Sequence, residues 1–555
     1  MDELTARYQD LLTGSYDCVD RIVLNAYFSM GHNPGGFRVW WRRAHGGSDE
    51  HLDKEHLMRM AGRFSRRVHA FSEANDIPLI ECDGERKHLL AEEHLRTHAV
   101  GTGLFMILVA RAPAMVWNVK RSAGGVICNL FTRRSFIKHY SFHIWDPTWG
   151  HITIKMAGHP PFDAQVMLNG HEYVTCQAQA AGIGFRKEGN CFTVVPDAAA
   201  LAEVADTLSL PETVGRLSQV VDRWIYSTCL CFGLNRDEVE ATRFVYSYSV
   251  YQVEYSRNLL FRDGSEMDTV FNALVDRTRS RLDVPRLKTL FGVKQRPHRR
   301  SRLGRELSPR EAIVIETPQW DLTLFKLHFG ALTLKGYTKG EQVARFEAIV
   351  HNTRALNCGR TLDKFPVIVA RLAQMADRFT SMLDCVHIGF LPDGILDELP
   401  LASTIGTSRV GGIDLNKARM RNALTAALAL AVAPGGFTVT DFTAKVRAMT
   451  GQDDAAYTIR QGAYDLRKLR AKHLVAKPGK SRRYEVPGDA ARTMAGLTVL
   501  RDQVIAPILA GIRAHREDQT PDIRTSVDAD YEQLRSDMLT LLDDLGITPG
   551  APLAA

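Results

Sequence analysis

The sequence predicts an α+β protein of several domains, in which helical regions alternate with antiparallel β regions and a helical tail lies near the C-terminus. The chain has 555 residues, enough for roughly three or four domains of ordinary size. Hydrophobic residues make up 45% and charged residues 24%, which is typical of a soluble globular protein with ample material for buried cores. Runs with helical spacing and runs with strict alternation occupy different parts of the chain, so both types of element are expected.

Changes in these patterns divide the chain into six segments. They are a basic helical N-terminal region (1–76), a β-rich domain with a candidate active site (77–197), a helical region that ends in a basic arm (198–310), a β-meander with helices (311–399), a basic helix-and-hairpin module with its linker (400–489) and a helical tail (490–555). The tail is long and regular enough to pack as a hairpin or to form a homo-oligomer.

Charge and cysteine usage restrict the class of protein. The formal net charge is +7, and the cations are clustered rather than spread. The nine cysteines are scattered without a CxxC pair, which favours reduced thiols in a cytoplasmic protein. The alternation in Cys229-Leu230-Cys231 favours a buried strand. The polar start MDELTARYQD is unlike a secretory signal, and the apolar run Leu104–Ala110 is too short to span a bilayer, so no membrane role is predicted.

The segment Tyr457–Val486 has the most specific pattern in the chain. Ile459, Ala463, Leu466 and Leu469 recur at helical spacing and are expected to face a core. The cations of the segment then lie largely outside that core, in the helix and at the tip of a two-stranded hairpin: Arg460, Arg467, Lys468, Arg470, Lys472, Lys480, Arg482 and Arg483. Such a helix can enter a major groove while a basic hairpin contacts the phosphate backbone.

This pattern resembles a winged-helix DNA-binding domain. The resemblance covers the C-terminal region only, where Asn416–Ala433 and Thr438–Met449 are expected as the first two helices, with Thr438 or Thr440 as an N-cap. It implies DNA as a partner. The alternative is a winged helix that serves protein contacts alone.

The first candidate for chemistry is the stretch 139–174, which holds five of the 19 histidines in strands joined by turns. A metal-dependent nuclease needs carboxylates for Mg²⁺ or another divalent cation and a Lys or His to handle protons. The candidate catalytic residues are Asp146, Lys155, His171 and Glu172, with Asp146 and Glu172 as the metal ligands. The alternative is structural, because Asp146-Pro147 and Asn169-Gly170 also favour turns.

The second candidate is a β-meander. Its strands are expected at Leu322–His328, Leu332–Tyr337 and Gln342–Val350. Alternation places Lys335 and Tyr337 on one face of the second strand and Arg345 and Glu347 on one face of the third. If these faces coincide, Tyr337, Arg345 and Glu347 are candidate catalytic residues, with Tyr337 as a nucleophile. The alternative is cross-strand ion pairing between Arg345, Glu347 and their neighbours.

Further candidate nucleic-acid contacts lie elsewhere in the chain. Arg42 and Arg43 follow Trp40 and Trp41, and this combination can stack on bases and pair with phosphates. The same pattern also suits an amphipathic element whose tryptophans are core residues. Two more groups of candidate contacts are expected. Arg86 and Lys87 lie at the start of a helix, and the basic arm contributes Arg296, Arg299, Arg300 and Arg302. These cations can bind phosphate, or they can simply be solvated.

We interpret the chain as a nucleic-acid-binding protein of a mobile or plasmid-like element, with a metal-dependent DNA- or RNA-processing core (a nuclease or a strand-transfer enzyme) and a winged helix that reads DNA. The patterns DPTWG, NGHE and RFE resemble those of uncharacterised bacterial proteins, which implies no activity. No phosphate-binding glycine loop, dinucleotide fingerprint or serine-hydrolase elbow occurs in the sequence. Two alternatives stay open, a non-enzymatic transcriptional regulator and an RNA-binding component of a ribonucleoprotein.

Overall fold

The chain folds into two compact units, which we describe from a computed structural model. The structure describes residues 3–82, 87–281, 313–316, 324–387, 391–479, 481–505 and, in the tail, 533, 534, 536, 537 and 540. The sheet unit comprises Arg7–Asp268 and Val314–Asp377. The helical unit comprises Met1–Ala6, Thr269–Ile313 and Arg378–Ala555. The fold class is therefore mixed α and β, as the sequence predicts.

The strands of the described residues are β1 (Leu12–Phe28), β2 (Leu79–Glu81), β3 (Gly103–Arg121), β4 (Ile127–Asp146), β5 (Gly150–Ala157), β6 (Ala164–Asn169), β7 (Arg186–Lys187), β8 (Phe192–Val194), β9 (Tyr246–Phe261), β10 (Ile313–Glu316), β11 (Leu324–Phe329), β12 (Leu332–Lys339), β13 (Val343–Val350), β14 (Ser403–Ile405) and β15 (Ser408–Val410). The predicted β-meander corresponds to β11, β12 and β13, so the structure confirms its three strands.

The helices of the described residues are α1 (Glu3–Arg7), α2 (Pro34–Ala44), α3 (Lys54–Ala74), α4 (Lys87–Thr97), α5 (Gly170–Ala180), α6 (Ala198–Asp206), α7 (Thr213–Trp224), α8 (Arg236–Thr242), α9 (Gly264–Arg281), α10 (Phe365–His387), α11 (Ile395–Glu398), α12 (Ala418–Ala429), α13 (Val439–Thr450), α14 (Ile459–Ala471) and α15 (Gly488–Val499). Within the described residues, no helix is both long enough and apolar enough to cross a membrane.

An eleven-stranded mixed sheet dominates the sheet unit. Its strand order is β10-β11-β12-β13-β9-β1-β6-β5-β4-β3-β2. The pairs from β11 to β13, from β13 through β9 and β1 to β6, and from β6 to β3 are antiparallel, whereas β2 pairs with β3 in parallel. The sheet takes strands from the predicted segments 1–76, 77–197, 198–310 and 311–399. Those boundaries therefore fall inside or beside one sheet, because strands far apart in sequence pair at its centre.

Two regions predicted to be helical each contain one long strand as well. The N-terminal region holds α1, α2 and α3 but also β1, and the region 198–310 holds α6, α7, α8 and α9 but also β9. Both strands lie at the centre of the sheet, where pairing on both edges and burial on both faces outweigh local pattern. The proposed strand at Cys229-Leu230-Cys231 is wrong, because a π-helical turn ends at Cys229 and a short 3₁₀ turn follows it.

The tryptophans after the first turn are core residues. Phe37, Trp40 and Trp41 are fully buried in α2, and Asn33 caps this helix by accepting a hydrogen bond from the Gly36 amide at 2.6 Å. A buried ring cannot stack on a base. The fold therefore supports the alternative in which this segment is an amphipathic element and its tryptophans are core residues.

The helical unit contains three mutually packed helices, α12, α13 and α14, in the region of the expected helix-and-hairpin module. Isolated β-bridges join Phe437 to Tyr484 and Ala476 to Glu485. Of the expected core positions in α14, Leu466 and Leu469 are buried, whereas Ile459 is 51% exposed. Ile459 lies in the first turn of the helix, where no neighbouring helix of the described residues covers it.

Thr438 caps α13. Its hydroxyl accepts a hydrogen bond from the Asp441 amide at 3.2 Å, and the Asp441 carboxylate accepts one from the Thr438 amide at 2.8 Å. This reciprocal capping box satisfies two amides that the helix itself leaves unpaired. Thr440, the other expected N-cap candidate, is exposed and is itself part of α13.

We expect Thr438→Ala to destabilise α13 by about 1 kcal/mol, because an N-cap hydroxyl contributes that much. Hydrogen–deuterium exchange of the amides in 439–450 would measure the effect as faster exchange. Thr440→Ala is the matched control and should leave exchange unchanged or slow it, since Ala favours the helix interior. Equal exchange rates in the two variants would contradict the assignment of the cap.

Candidate functional site: a buried charge network in the sheet

Four neighbouring strands place polar side chains in two rows across one face of the sheet. Each row takes one residue from each strand, in the order β12, β13, β9, β1. The first row is Tyr337, Arg345, Asn258 and Tyr16, and the second row, beside it, is Lys335, Glu347, Ser256 and Cys18. Directly paired residues of antiparallel strands point to the same face. The alternation in the meander therefore predicted half of each row correctly, and β9 and β1 supply the other half.

Arg345 lies at the centre of this network, with 0% of its side chain exposed. Its Nε donates to Glu347 Oε1 at 2.9 Å, and Nη2 pairs with a carboxylate oxygen of Asp20. Nη1 donates to the carbonyl oxygen of Asn190 at 2.7 Å. All three guanidinium nitrogens thus have partners, which a buried cation requires.

A β-bulge in β1 brings Asp20 into the network. Val19 pairs with Tyr255 and Ile22 with Val253, so that two residues of β1 stand opposite one residue of β9. A bulge of this kind re-aims the side chains beside it. Asp20 accepts a hydrogen bond from Ser256 Oγ at 3.0 Å.

His171 approaches Asp20 from α5. The imidazole Nδ1 lies 2.7 Å from Asp20 Oδ1, and both side chains are buried. The side chain of Asn169 holds this position by accepting a hydrogen bond from the His171 amide at 3.0 Å at the start of the helix. The imidazole Nε2 is buried without a hydrogen-bond partner among the described residues. His171 therefore covers one end of the charge network.

Glu347 links the network to β12. Its Oε2 lies 3.0 Å from Lys335 Nζ, and its Oε1 accepts a hydrogen bond from the Tyr337 hydroxyl at 2.5 Å. Lys339, further along the same strand, donates to Asn190 Oδ1 at 2.6 Å. The cluster thus contains two buried carboxylates, the cations that neutralise them and the tyrosine hydroxyl.

Burial and charge shift the titration of these groups in different directions. Burial by itself raises the pKa of Asp20, but the positive charge of Arg345 and the contacts with His171 and Ser256 outweigh it and lower that pKa overall. Glu347 shows the same balance, with Arg345 as the main charge that lowers its pKa. Burial lowers the pKa of His171 in spite of Asp20 beside it. The carboxylates are therefore ionised at neutral pH, and the imidazole is neutral.

This chemistry suits a structural network. Burial and, to a smaller extent, Glu347 raise the pKa of the Tyr337 phenol, while Arg345 opposes this shift; a raised pKa disfavours the phenolate. Arg345 and Glu347 are covered by protein atoms, so neither contacts a substrate in this conformation. The candidates Tyr337, Arg345 and Glu347 do lie together, in the cross-strand ion pairing that was the structural alternative.

One group of residues has the composition of a metal site. Ligating atoms of Cys18, Asp20 and His171 lie within 4.8 Å of one another, and no other such group of three occurs in the described part of the chain. The donor set of sulfur, oxygen and nitrogen suits Zn²⁺ better than Mg²⁺. It does not fit either ion well, because burial raises the pKa of the Cys18 thiol and Asp20 is already paired with Arg345.

Asp146 has a structural environment of its own. Its Oδ1 accepts hydrogen bonds from the amides of Thr148 and Trp149 at 2.8 and 2.9 Å, and its Oδ2 accepts one from Trp224 Nε1 at 2.8 Å. Arg223 Nη1 lies 3.8 Å from the same carboxylate. Asp146 borders a cavity of about 390 Å³ that also has Arg216, Tyr173 and Gln177 in its wall.

The other candidates from 139–174 have contacts of their own. Glu172 pairs with Lys187 at 2.6 Å, and Lys155 lies half-buried in β5 between Ser141 and Gln165. His143 and His151 form a pair with ring nitrogens 3.0 Å apart. Among the described residues, Asp146 and Glu172 do not belong to a three-ligand cluster.

The candidate nucleic-acid contacts fall into three groups. Arg42 pairs with Asp49 at 2.9 Å, and Arg43 Nη1 donates to the Thr242 carbonyl at 3.4 Å, so both cations serve the fold. The cations of α14 and of the bridge region are partly exposed. The remaining positions lie outside the residues whose side chains the structure describes: Arg86, Lys87, Arg296, Arg299, Arg300, Arg302 and Lys480.

Sequence reasoning missed half of the network. Asp20 and Cys18 lie in β1, and Ser256 and Asn258 lie in β9, both of which were expected to be helical. A usable pattern was present, because Tyr16, Cys18 and Asp20 alternate with period two, as strand residues do.

Comparison with known proteins gives no further guide to function. No protein-family model, no curated protein and no solved structure matches the chain.

We expect Arg345→Met to destabilise the sheet unit by about 3–5 kcal/mol, because removal of one partner leaves buried carboxylates without a counter-charge. Urea-induced unfolding would measure the effect. The triple variant Asp20→Asn, Arg345→Met, Glu347→Gln should recover part of the stability, since no fully buried charge is then left unpaired and Lys335, which loses Glu347, keeps access to water with 25% of its side chain exposed. Arg236→Met, at an exposed ion pair with Glu240, is the control and should leave the unfolding midpoint unchanged. A wild-type midpoint for Arg345→Met would contradict the role of Arg345.

We expect the stability of the sheet unit to fall as pH falls from about 6.5 to about 4. Burial lowers the pKa of His151 from 6.5 to about 4, so in this window the unfolded chain binds a proton that the folded chain does not. The carboxylates of Asp20 and Glu347, with lowered pKa values, add a further decrease below that window. Urea midpoints at a series of pH values would record both decreases. Burial also lowers the pKa of His171 and of His159, so His151→Gln should reduce the slope in the upper window without removing it, and an unchanged slope there would refute the assignment.

Proposed function

We propose that the protein binds duplex DNA, with α14 as the helix that enters the major groove. The observation that supports this most strongly is the composition of the outward face of α14. Arg460, Arg467 and Arg470 are exposed on it, and Tyr464 is 46% exposed. Leu466 and Leu469 are buried on the opposite face, so the amphipathic helix directs its cations away from its own core.

The one acidic side chain of α14 does not oppose this face. Asp465 is buried, pairs with Arg419 at 2.9 Å and accepts a hydrogen bond from the Tyr457 hydroxyl at 2.8 Å. Its charge is therefore neutralised inside the unit. The outward face presents only cations, an aromatic ring and small or apolar side chains, which is the electrostatic footprint of a nucleic-acid contact.

Two of the expected cations instead stabilise the unit itself. Lys468 Nζ donates to the Gly412 carbonyl at 3.0 Å, and Lys472 Nζ donates to the Glu398 carbonyl at 2.6 Å. These lysines hold the segment before α12 against α14. The proposed contact set on α14 is accordingly Arg460, Arg467 and Arg470.

The bridge region beside α14 supports a second contact. Arg482 is exposed, whereas Arg483 Nη1 donates to the Gly436 carbonyl at 2.9 Å. One bridge joins Phe437, between α12 and α13, to Tyr484, and the other joins Ala476 to Glu485 after α14; this order of elements supports the proposal of a winged helix. In that arrangement the hairpin contacts the DNA backbone while the third helix contacts the bases.

Geometry favours DNA over RNA for this helix. An α-helix with its side chains is about 10–12 Å across, and the major groove of B-form DNA is about 12 Å wide. The major groove of an RNA duplex is deep and narrow, and side chains cannot read it. Duplex DNA is therefore the partner that the outward face of α14 suits.

We expect Arg460→Ala with Arg467→Ala to weaken duplex DNA binding at least tenfold, because each well-placed arginine contributes about 1–3 kcal/mol. The slope of log affinity against log salt concentration should also fall by about one for each phosphate that an arginine no longer neutralises. Fluorescence anisotropy with a labelled mixed-sequence duplex would measure both quantities. Circular dichroism would establish that the variant is folded.

The matched control is Arg236→Ala with Arg354→Ala, which removes the same charge from exposed positions of the sheet unit and should leave affinity almost unchanged. Equal weakening in both double variants would mean that net charge alone is responsible. Unchanged affinity in the α14 variant would reject α14 as the DNA contact and favour the alternative, in which these helices contact another protein.

A further inference from the structure

We infer that the outer part of the β3–β4 hairpin is a second nucleic-acid contact, and that it binds unpaired DNA bases. We call this element the ribbon and define it as Arg111–Arg121 paired with Ile127–Lys138. The inference goes beyond the duplex contact of α14. It rests on the proposed function only in taking DNA as the polymer.

The charge of the hairpin is one-sided. From Gly103 to Trp145 the sequence holds six lysines and arginines and no aspartate or glutamate. All six cations lie in the ribbon: Arg111, Lys120, Arg121, Arg133, Arg134 and Lys138. A long stretch of strand with one sign of charge repels itself and attracts a polyanion.

Two of these cations serve the fold. Arg121 Nη2 donates to the carbonyl oxygens of Asp49 and Glu50 at 2.6 and 2.7 Å, and Lys138 pairs with Glu81 at 2.7 Å. The other four cations, Arg111, Lys120, Arg133 and Arg134, are exposed and form no salt bridge with the carboxylates of the described residues. Their charge is thus available to a partner outside the chain.

Exposed aromatic rings lie between these cations. On one face, the pair Pro113–Phe136 lies between the pairs Arg111–Lys138 and Met115–Arg134. Phe136 is 67% exposed. Burial of such a ring normally contributes about 1.5–3 kcal/mol to folding, and the fold leaves this one uncovered, which is typical of a binding surface.

The opposite face of the ribbon repeats this arrangement. The pair Asn118–Phe131 lies between Lys120–Asn129 and Val116–Arg133, and Phe131 is 42% exposed. A phenylalanine flanked by cations therefore occurs once on each face. Rings that stack on bases, with cations beside them for phosphates, are the combination found in proteins that bind single strands.

The ribbon is anchored to the rest of the sheet unit at its middle and near its tip. Trp117 is buried, donates from Nε1 to the Gly31 carbonyl at 2.8 Å, and stacks on Phe37 with ring centroids 5.1 Å apart. Arg121 connects the tip to the loop before α3 through its hydrogen bonds to the carbonyls of Asp49 and Glu50. A rigid support lowers the entropy cost of presenting the rings to a ligand.

The exposed phenylalanine rings favour single-stranded over duplex DNA as the ligand of the ribbon. Bases in a duplex are covered by their neighbours, so an exposed phenylalanine finds no free base face there. In a single strand each base has an open face, and stacking on an aromatic ring contributes about 1–3 kcal/mol. Single-stranded DNA therefore satisfies both the cations and the rings of the ribbon, whereas a duplex satisfies the cations only.

The test is the affinity of the full-length protein for labelled oligothymidylate, which forms no duplex, measured by fluorescence anisotropy. Phe131→Ala with Phe136→Ala should weaken binding by roughly five- to a hundredfold for each ring that stacks. Arg111→Ala with Arg134→Ala should weaken it and reduce its salt dependence. Val126→Ala, which removes an exposed apolar side chain at the tip of the same hairpin, is the control and should bind as the wild type does.

This experiment tests the ribbon and the α14 contact independently of each other. The ribbon variants should retain duplex binding, and the α14 variant should retain oligothymidylate binding. Wild-type affinity in the phenylalanine variant, or no binding of oligothymidylate by the wild type, would overturn the inference. Tighter binding of oligouridylate would overturn the choice of DNA, and equal competition by polyglutamate would show a general polyanion surface in place of base stacking.

Discussion

The buried charge of Arg345 is the constraint on which the sheet unit depends. A guanidinium without access to water needs partners for each of its nitrogens, and its partners here come from β1, from β13 itself and from the loop before β8. A slip of β13 by one residue would exchange the faces of all its side chains. Arg345 would then lie where Phe346 and Ala344 now pack. The ion pairs thus specify a single register across the centre of the sheet.

This requirement also explains why the sheet unit is one body in spite of its sequence pattern. Asp20, His171 and Arg345 are separated by more than a hundred residues from one another, yet none of them is satisfied unless all three are in place. The strands β1 and β13 and the helix α5, which carry these three residues, must therefore assemble together. Divisions at 76, 197 and 310 are reasonable from local pattern, but the charge network connects the segments that those divisions separate.

The sequence supports accurate prediction where a pattern is local. Alternation in β12 and β13 was sufficient to place Tyr337, Arg345 and Glu347 on one face, and of the two expected N-cap candidates for α13, Thr438 and Thr440, the first is the cap. Prediction was wrong where partners are distant. β1 contains a bulge, which breaks the period of two, and its second half is apolar on both faces, so its pattern is not that of a half-buried strand. His171 was singled out from the sequence as a candidate catalytic residue, but its partner Asp20 was not, because only the folded register brings them together.

The positions of the cations distinguish structural cations from candidate binding cations better than their number does. Arg345, Arg121, Lys468 and Lys472 bond to carboxylates or carbonyls of the chain itself, and each closes a contact that the fold needs. The outward arginines of α14 and four cations of the ribbon have no such use among the described residues. A soluble protein gains little stability from cations of this kind, which favours an external polyanion as the reason for their clustering beside exposed aromatic rings.

The two surfaces also differ in what they can recognise. A helix in a groove reads paired bases, while a ring on a strand requires an unpaired one. The two proposed contacts therefore differ in substrate: a duplex suits α14, and a single strand suits the ribbon. Each proposal depends on residues of its own unit, so neither requires the other, and neither requires chemistry from the buried network.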